Sequence, residues 1–80
     1  MYEVTWIKSL NDKERDFERF PKVQVFEQHS PIMVGVVLYL IGREGDGKTV
    51  VTSPVQSLYL LRSNIMEVTT KNSVYEIKEI

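Results

Sequence analysis

The chain contains no cysteine. That excludes a disulfide framework and a thiolate metal site, the two devices that most often supplement a small core. It also suits a reducing compartment, and the expectation is a cytoplasmic protein. There is a single histidine, His29, so paired-histidine metal ligation is excluded, and none of the serines has a second base to draw on. No cofactor and no metal are expected. Charge of one sign is also missing. Ten Lys and Arg stand against eleven Asp and Glu, for a net charge of −1. Phosphate neutralisation supplies most of the affinity of a duplex-DNA binder, so this balance argues against that class. Finally, no apolar run is long enough to span a bilayer. The longest, Ile32 to Ile41, is about half of the roughly 20 residues a membrane helix needs. The first residues, "MYEVTWIKSL", have no basic stretch ahead of an apolar one, so no leader is expected.

What is present fits one small folded domain. At 80 residues, 42% hydrophobic and 26% charged, the composition is globular. A chain of this length buries only about 60–65% of the surface it exposes when unfolded. Two routes to stability remain: economical packing, or burial of apolar surface between copies.

The hydrophobic pattern is that of strands. Glu3–Lys8 alternates, with Val4 and Trp6 on one face, and Lys22–Gln28 alternates again. Between them "LNDKERDFERF" (Leu10–Phe20) carries a capping box at Asn11 and Glu14 and an apolar pair at Phe17 and Phe20. This predicts one short helix with a charged face that includes Arg15 and Arg19, a long charged loop being the competing reading. Ile32–Ile41 has no polar side chain on either face. It reads as a strand covered on both sides, by the core and by the helix or a second subunit, with Gly35 marking a bulge or bend. Thr49–Leu61 resumes strand character but contains Pro54, which predicts two short strands or one bulged strand. In "NIMEVTTKNSVYEIKEI", a turn at Lys71-Asn72 sets Thr70 against Ser73, Val68 against Tyr75 and Met66 against Ile77, with the apolar side chains on one face. The same register sets Glu67 against Glu76. Asn72 is expected to supply a positive φ in that turn. The predicted fold is mainly β: a small, partly open antiparallel barrel of SH3 or OB type, with five to six strands and one short helix.

One stretch carries an apparent motif. "GREGDGKT" (Gly42–Thr49) fits the phosphate-loop pattern G-x-x-x-x-G-K-[ST]. That loop functions because it opens a helix, whose N-terminal N–H groups meet the phosphates. Here "VVTSPVQS" follows, with three β-branched residues in a row and a Pro that a helix would meet in its second turn. Glu44 and Asp46 would also repel a polyphosphate. We read the stretch as a loop joining two strands, with Asp46-Gly47 reversing the chain and Lys48 an ordinary surface lysine.

No catalytic constellation is found, and the chain is read as non-catalytic. Asp12, Glu14, Asp16 and Glu18 interleave with Lys13, Arg15 and Arg19, as on a solvated helix face. His29, in "EQHSP", reads as an exposed loop residue. The leading expectation is a binding module that works as a homo-oligomer and engages a protein partner. Its contact residues would lie in exposed segments: Arg43, Glu44, Asp46 and Lys48, His29, and Arg15 and Arg19. The second expectation is a barrel that stacks single-stranded nucleic acid or a nucleotide on Trp6 and Tyr59. "TSPVQSL" followed by "VTTKNSVYEI" resembles small β-rich proteins of bacteriophages and other mobile elements. The resemblance covers the last third of the chain and implies neither a site nor an activity; an inhibitor or adaptor of the kind mobile elements encode is one form the binding-module expectation takes.

Overall fold

A computed structural model describes residues 1–10, 22–42 and 49–80. Seven strands are seen among them: β1 (Tyr2–Ser9), β2 (Val23–Phe26), β3 (Gln28–His29), β4 (Val37–Ile41), β5 (Thr49–Arg62), β6 (Ile65–Thr70) and β7 (Ser73–Glu79). They form one antiparallel sheet in the order β2-β1-β7-β6-β5-β4-β3, curled into a half-barrel. The two end strands, β2 and β3, are consecutive in the chain, with only Glu27 between them. Tyr2 pairs with Phe26 on one side of that step. On the other, the Glu27 N–H donates to the Ile41 carbonyl at 2.9 Å. One segment thus serves both ends of the sheet by bending at Glu27.

That bend accounts for the strand count. Lys22–Gln28 reads in sequence as one strand, but its halves face different partners, so seven strands replace the expected five to six. The expected helix over Leu10–Phe20 lies outside the described residues apart from Leu10. There is no helix among the described residues.

The core lies on the concave face, where Val4, Phe26, Leu38, Leu40, Val55, Val68, Tyr75 and Ile77 are buried. Register places them there. Met66 faces Ile77 and Val68 faces Tyr75, while Val4 faces Ile77 and Trp6 faces Tyr75. The hairpin register read from the sequence is the one observed, including Glu67 opposite Glu76 on the convex face. The turn itself differs. No residue other than glycine has a positive φ among those described, so Asn72 does not close the hairpin in the way expected. A side chain does so instead. The Ser73 N–H donates to Thr70 Oγ1 at 3.2 Å, and Thr70 Oγ1 donates to the Ser73 carbonyl at 3.1 Å. Neighbouring strands take the remaining turn groups. The Lys71 N–H donates to the Pro54 carbonyl at 3.1 Å, and the Leu10 N–H donates to the Asn72 carbonyl at 2.8 Å.

β5 is the single bulged strand that Pro54 allowed. Its first part pairs with β4 as far as Pro54, and its remainder, from Val55, pairs with β6. Pro54 has no N–H to give a ladder, and it sits where the strand changes partner. A bulge opposite Leu38 leaves that residue's N–H without a ladder acceptor. Thr52 Oγ1 accepts it at 3.2 Å.

The expected ten-residue strand Ile32–Ile41 is shorter. Only Val37–Ile41 is strand, and Gly35, at φ 87°, turns the chain ahead of it. A positive φ of that size is readily adopted only by glycine, so the expected bend at Gly35 is observed. Two-sided burial is not. Leu38 and Leu40 are fully buried, but Tyr39 and Ile41, on the convex face, are 45% and 40% exposed. The helix expected to cover them lies outside the described residues.

Candidate functional site

The segment downstream of Thr49 decides the phosphate-loop question. It is a 14-residue strand, so the helix that would orient N–H groups at a phosphate is absent from its required place. Arg43, Glu44, Asp46 and Lys48 lie outside the described residues, as do Arg15 and Arg19.

His29 is described, and it is a strand residue rather than an exposed loop residue. It pairs with Leu40, whose side chain is in the core, and is itself half-buried. Its Nδ1 lies 2.7 Å from the Ser30 carbonyl. A carbonyl can only accept, so Nδ1 carries the proton and a neutral ring keeps Nε2 as an acceptor. The ring meets Tyr2 edge-on, with centroids 4.4 Å apart. Ser30 Oγ accepts the Tyr39 N–H at 2.9 Å, which ties this corner to β4.

Around His29 and Tyr2 the concave face opens into a cavity of about 160 Å³. Its apolar lining includes Ile32, Leu60, Met66 and Ile77, and Ser63, Asn64 and Glu79 contribute polar groups. No group of three or more acidic, His or Cys side chains that could hold a metal ion exists among the described residues. The arrangement offers an apolar recess with a few hydrogen-bonding groups, and no nucleophile–base pair is formed by His29 and Ser30 as placed.

The two residues proposed for nucleic-acid stacking do not come together. Trp6 faces Tyr75 and packs against the core. Tyr59 faces Glu67 on the convex side and is mostly exposed. A base stack would have to pass through the sheet to touch both. The row across the convex face from Tyr59 runs through Glu67, Glu76 and Thr5, which is acidic where a stacking platform needs cations.

A feature the sequence reading did not single out is the far end of β5. Beyond Val55, β5 is paired with β6 on one side only; among the described residues its last partner on the other side is Val34, bridged to Val55. The run Leu58–Leu61 is exposed along this free edge. The signal was visible as "LYLL". Four consecutive large apolar residues on a strand must leave some uncovered on one face unless both faces are packed.

No protein-family model, curated protein or solved structure matches this chain. Its class is therefore defined by its fold alone, as a mainly β half-barrel.

Proposed function

We propose that this chain is a non-catalytic interaction module that works as a homo-oligomer. The observation that supports this reading is two groups of uncovered apolar side chains: Tyr39, Ile41 and Val51 where β4 pairs with the start of β5, and Tyr59, Leu60 and Leu61 toward the end of β5. Isolated exposed apolar residues are ordinary, but contiguous ones on a small domain usually mark a contact surface. A chain this short also gains proportionately more than a large one from burial between copies. The architecture that best accommodates the role is a small SH3- or OB-like barrel in which Val23–His29 acts as one bent closing strand. A protein partner would be met by the segments Gly42–Lys48 and Asp12–Arg19 and by His29–Pro31. An inhibitor or adaptor of the kind mobile elements encode fits a module of this size.

Light scattering across a concentration series tests the reading. The expected mass is a multiple of the 9.3 kDa chain, rising with concentration toward a plateau. A mass that stays at the monomer value at high concentration overturns it.

A further inference from the structure

We infer that two copies of this chain pair through the free edge of β5, antiparallel, with the two-fold axis passing at Tyr59. The inference rests on the homo-oligomer reading and names the contact.

An unpaired strand edge exposes a row of N–H and C=O groups that another strand can satisfy, and folded proteins usually block such edges with lysine, proline or a cover. Ser57–Arg62 has no lysine, no proline and no cover among the described residues. Tyr59, Leu60 and Leu61 are 63%, 67% and 51% exposed.

Alternation sets the register. A two-fold axis perpendicular to the sheet places residues of the same face opposite one another. Leu58 faces Val68 and Leu60 faces Met66, both toward the concave side, while Tyr59 faces Glu67 on the convex side. Centring on Tyr59 sets the two tyrosines against each other on the convex face. On the concave face it sets Leu58 of each copy against Leu60 of the other, twice. Leu60 lines the cavity, so the added strand lays apolar side chains along the cavity's open side. Self-complementarity of this kind selects a second copy as the occupant, because one segment supplies both the edge and the side chains that fill it.

Charge does not oppose the pairing. Arg62 falls opposite Gln56, so the two Arg62 side chains stand about six residues, or roughly 20 Å, apart along the strands. The four side chains Leu58–Leu61 offer on the order of 400 Å² per copy, about half of a standard interface. Met33, Val34 and Val36 lie exposed toward the same side of β5, where Val34 bridges Val55. A dimer that is concentration-dependent in the micromolar range is the expected result.

The absence of cysteine makes the test clean, since an introduced thiol is the only one in the chain. Tyr59→Cys, treated with a mild oxidant or a short thiol cross-linker, should be captured as a covalent dimer far more completely than Leu60→Cys. Tyr59→Lys, at an exposed site and with folding confirmed by circular dichroism, should weaken dimerisation at least tenfold. Capture of Leu60→Cys in preference to Tyr59→Cys overturns the stated register. A native oligomer that survives Tyr59→Lys, with neither thiol captured, overturns the edge pairing but leaves the homo-oligomer standing. A wild-type chain that remains a monomer overturns both.

Discussion

Leu38→Ala should remove about 3 kcal/mol of folding stability. Leu38 is fully buried, and its neighbours in the core include Leu40 and Val55. Truncating a buried leucine loses the transfer free energy of its methyl groups and leaves a void that β-sheet neighbours collapse into poorly, which together cost about 2–5 kcal/mol. An 80-residue domain has only roughly 4–12 kcal/mol in all. The variant should therefore melt more than about 10 °C below the wild type, and its urea midpoint should fall with little change in slope. Tyr39→Ala, one residue along and on the other face, should cost under about 1 kcal/mol when measured at concentrations where the chain is monomeric. The contrast tests which face of β4 is the core. If Leu38→Ala costs no more than Tyr39→Ala, the inward assignment of Leu38 fails, and with it the case that Tyr39 and Ile41 face outward.

This strand also shows how far the sequence could be read. The ten apolar residues from Ile32 to Ile41 announced a strand with two apolar faces, and that much follows from side-chain alternation. Which residues would be strand did not follow. Gly35 could equally have been a bulge within a longer strand or the turn ahead of a shorter one, and the choice depends on the parallel bridge between Val34 and Val55, a tertiary contact. The β6–β7 register was legible because local alternation and a two-residue turn leave little freedom: slipping by one would have put Val68 and Ile77 on opposite faces of the sheet. The bend at Glu27 was not legible, since nothing in "KVQVFEQ" distinguishes a strand with one partner from a strand that changes partners midway. Pro54 warned of an interruption in β5 and was correctly read as permitting a bulge, but a missing N–H does not say which neighbour leaves and which arrives.

The candidate site was less legible than the fold, for a related reason. Single-residue chemistry led to His29, Trp6 and Tyr59, and each was placed by its type. The surroundings of a side chain depend on pairing. His29 faces inward because it pairs with Leu40, and Trp6 and Tyr59 are separated because their registers put them on opposite faces of the sheet. The uncovered edge of β5 is a property of the order of strands in space: β4 departs at Pro54, Val34–Val36 hold Val55, β6 continues, and beyond Val55 nothing described takes the vacated side. "LYLL" shows that something must be uncovered there, and the topology shows that it is an edge.

Thr70→Val should be the costliest substitution outside the apolar core, at about 1.5–3 kcal/mol. Thr70 is almost completely buried, and its hydroxyl serves Ser73 twice, accepting from the N–H and donating to the carbonyl. Valine keeps the shape and both methyl-sized branches, so packing is nearly conserved. What is lost is a partner for two backbone groups of a buried residue, and leaving such groups unsatisfied costs more than the net gain of making the bonds. The turn cannot easily compensate, because the Lys71 and Asn72 N–H groups are already engaged by the Pro54 carbonyl and Ser53 Oγ. Thr70→Ser retains the hydroxyl and loses one methyl, so it should cost about 1 kcal/mol or less. Hydrogen exchange gives a local readout: the Ser73 amide should be protected in the wild type and in Thr70→Ser, and should exchange much faster in Thr70→Val. If Thr70→Val is as stable as the wild type and Ser73 stays protected, the hairpin is closed by its backbone, and the positive φ expected at Asn72 would have to be reconsidered.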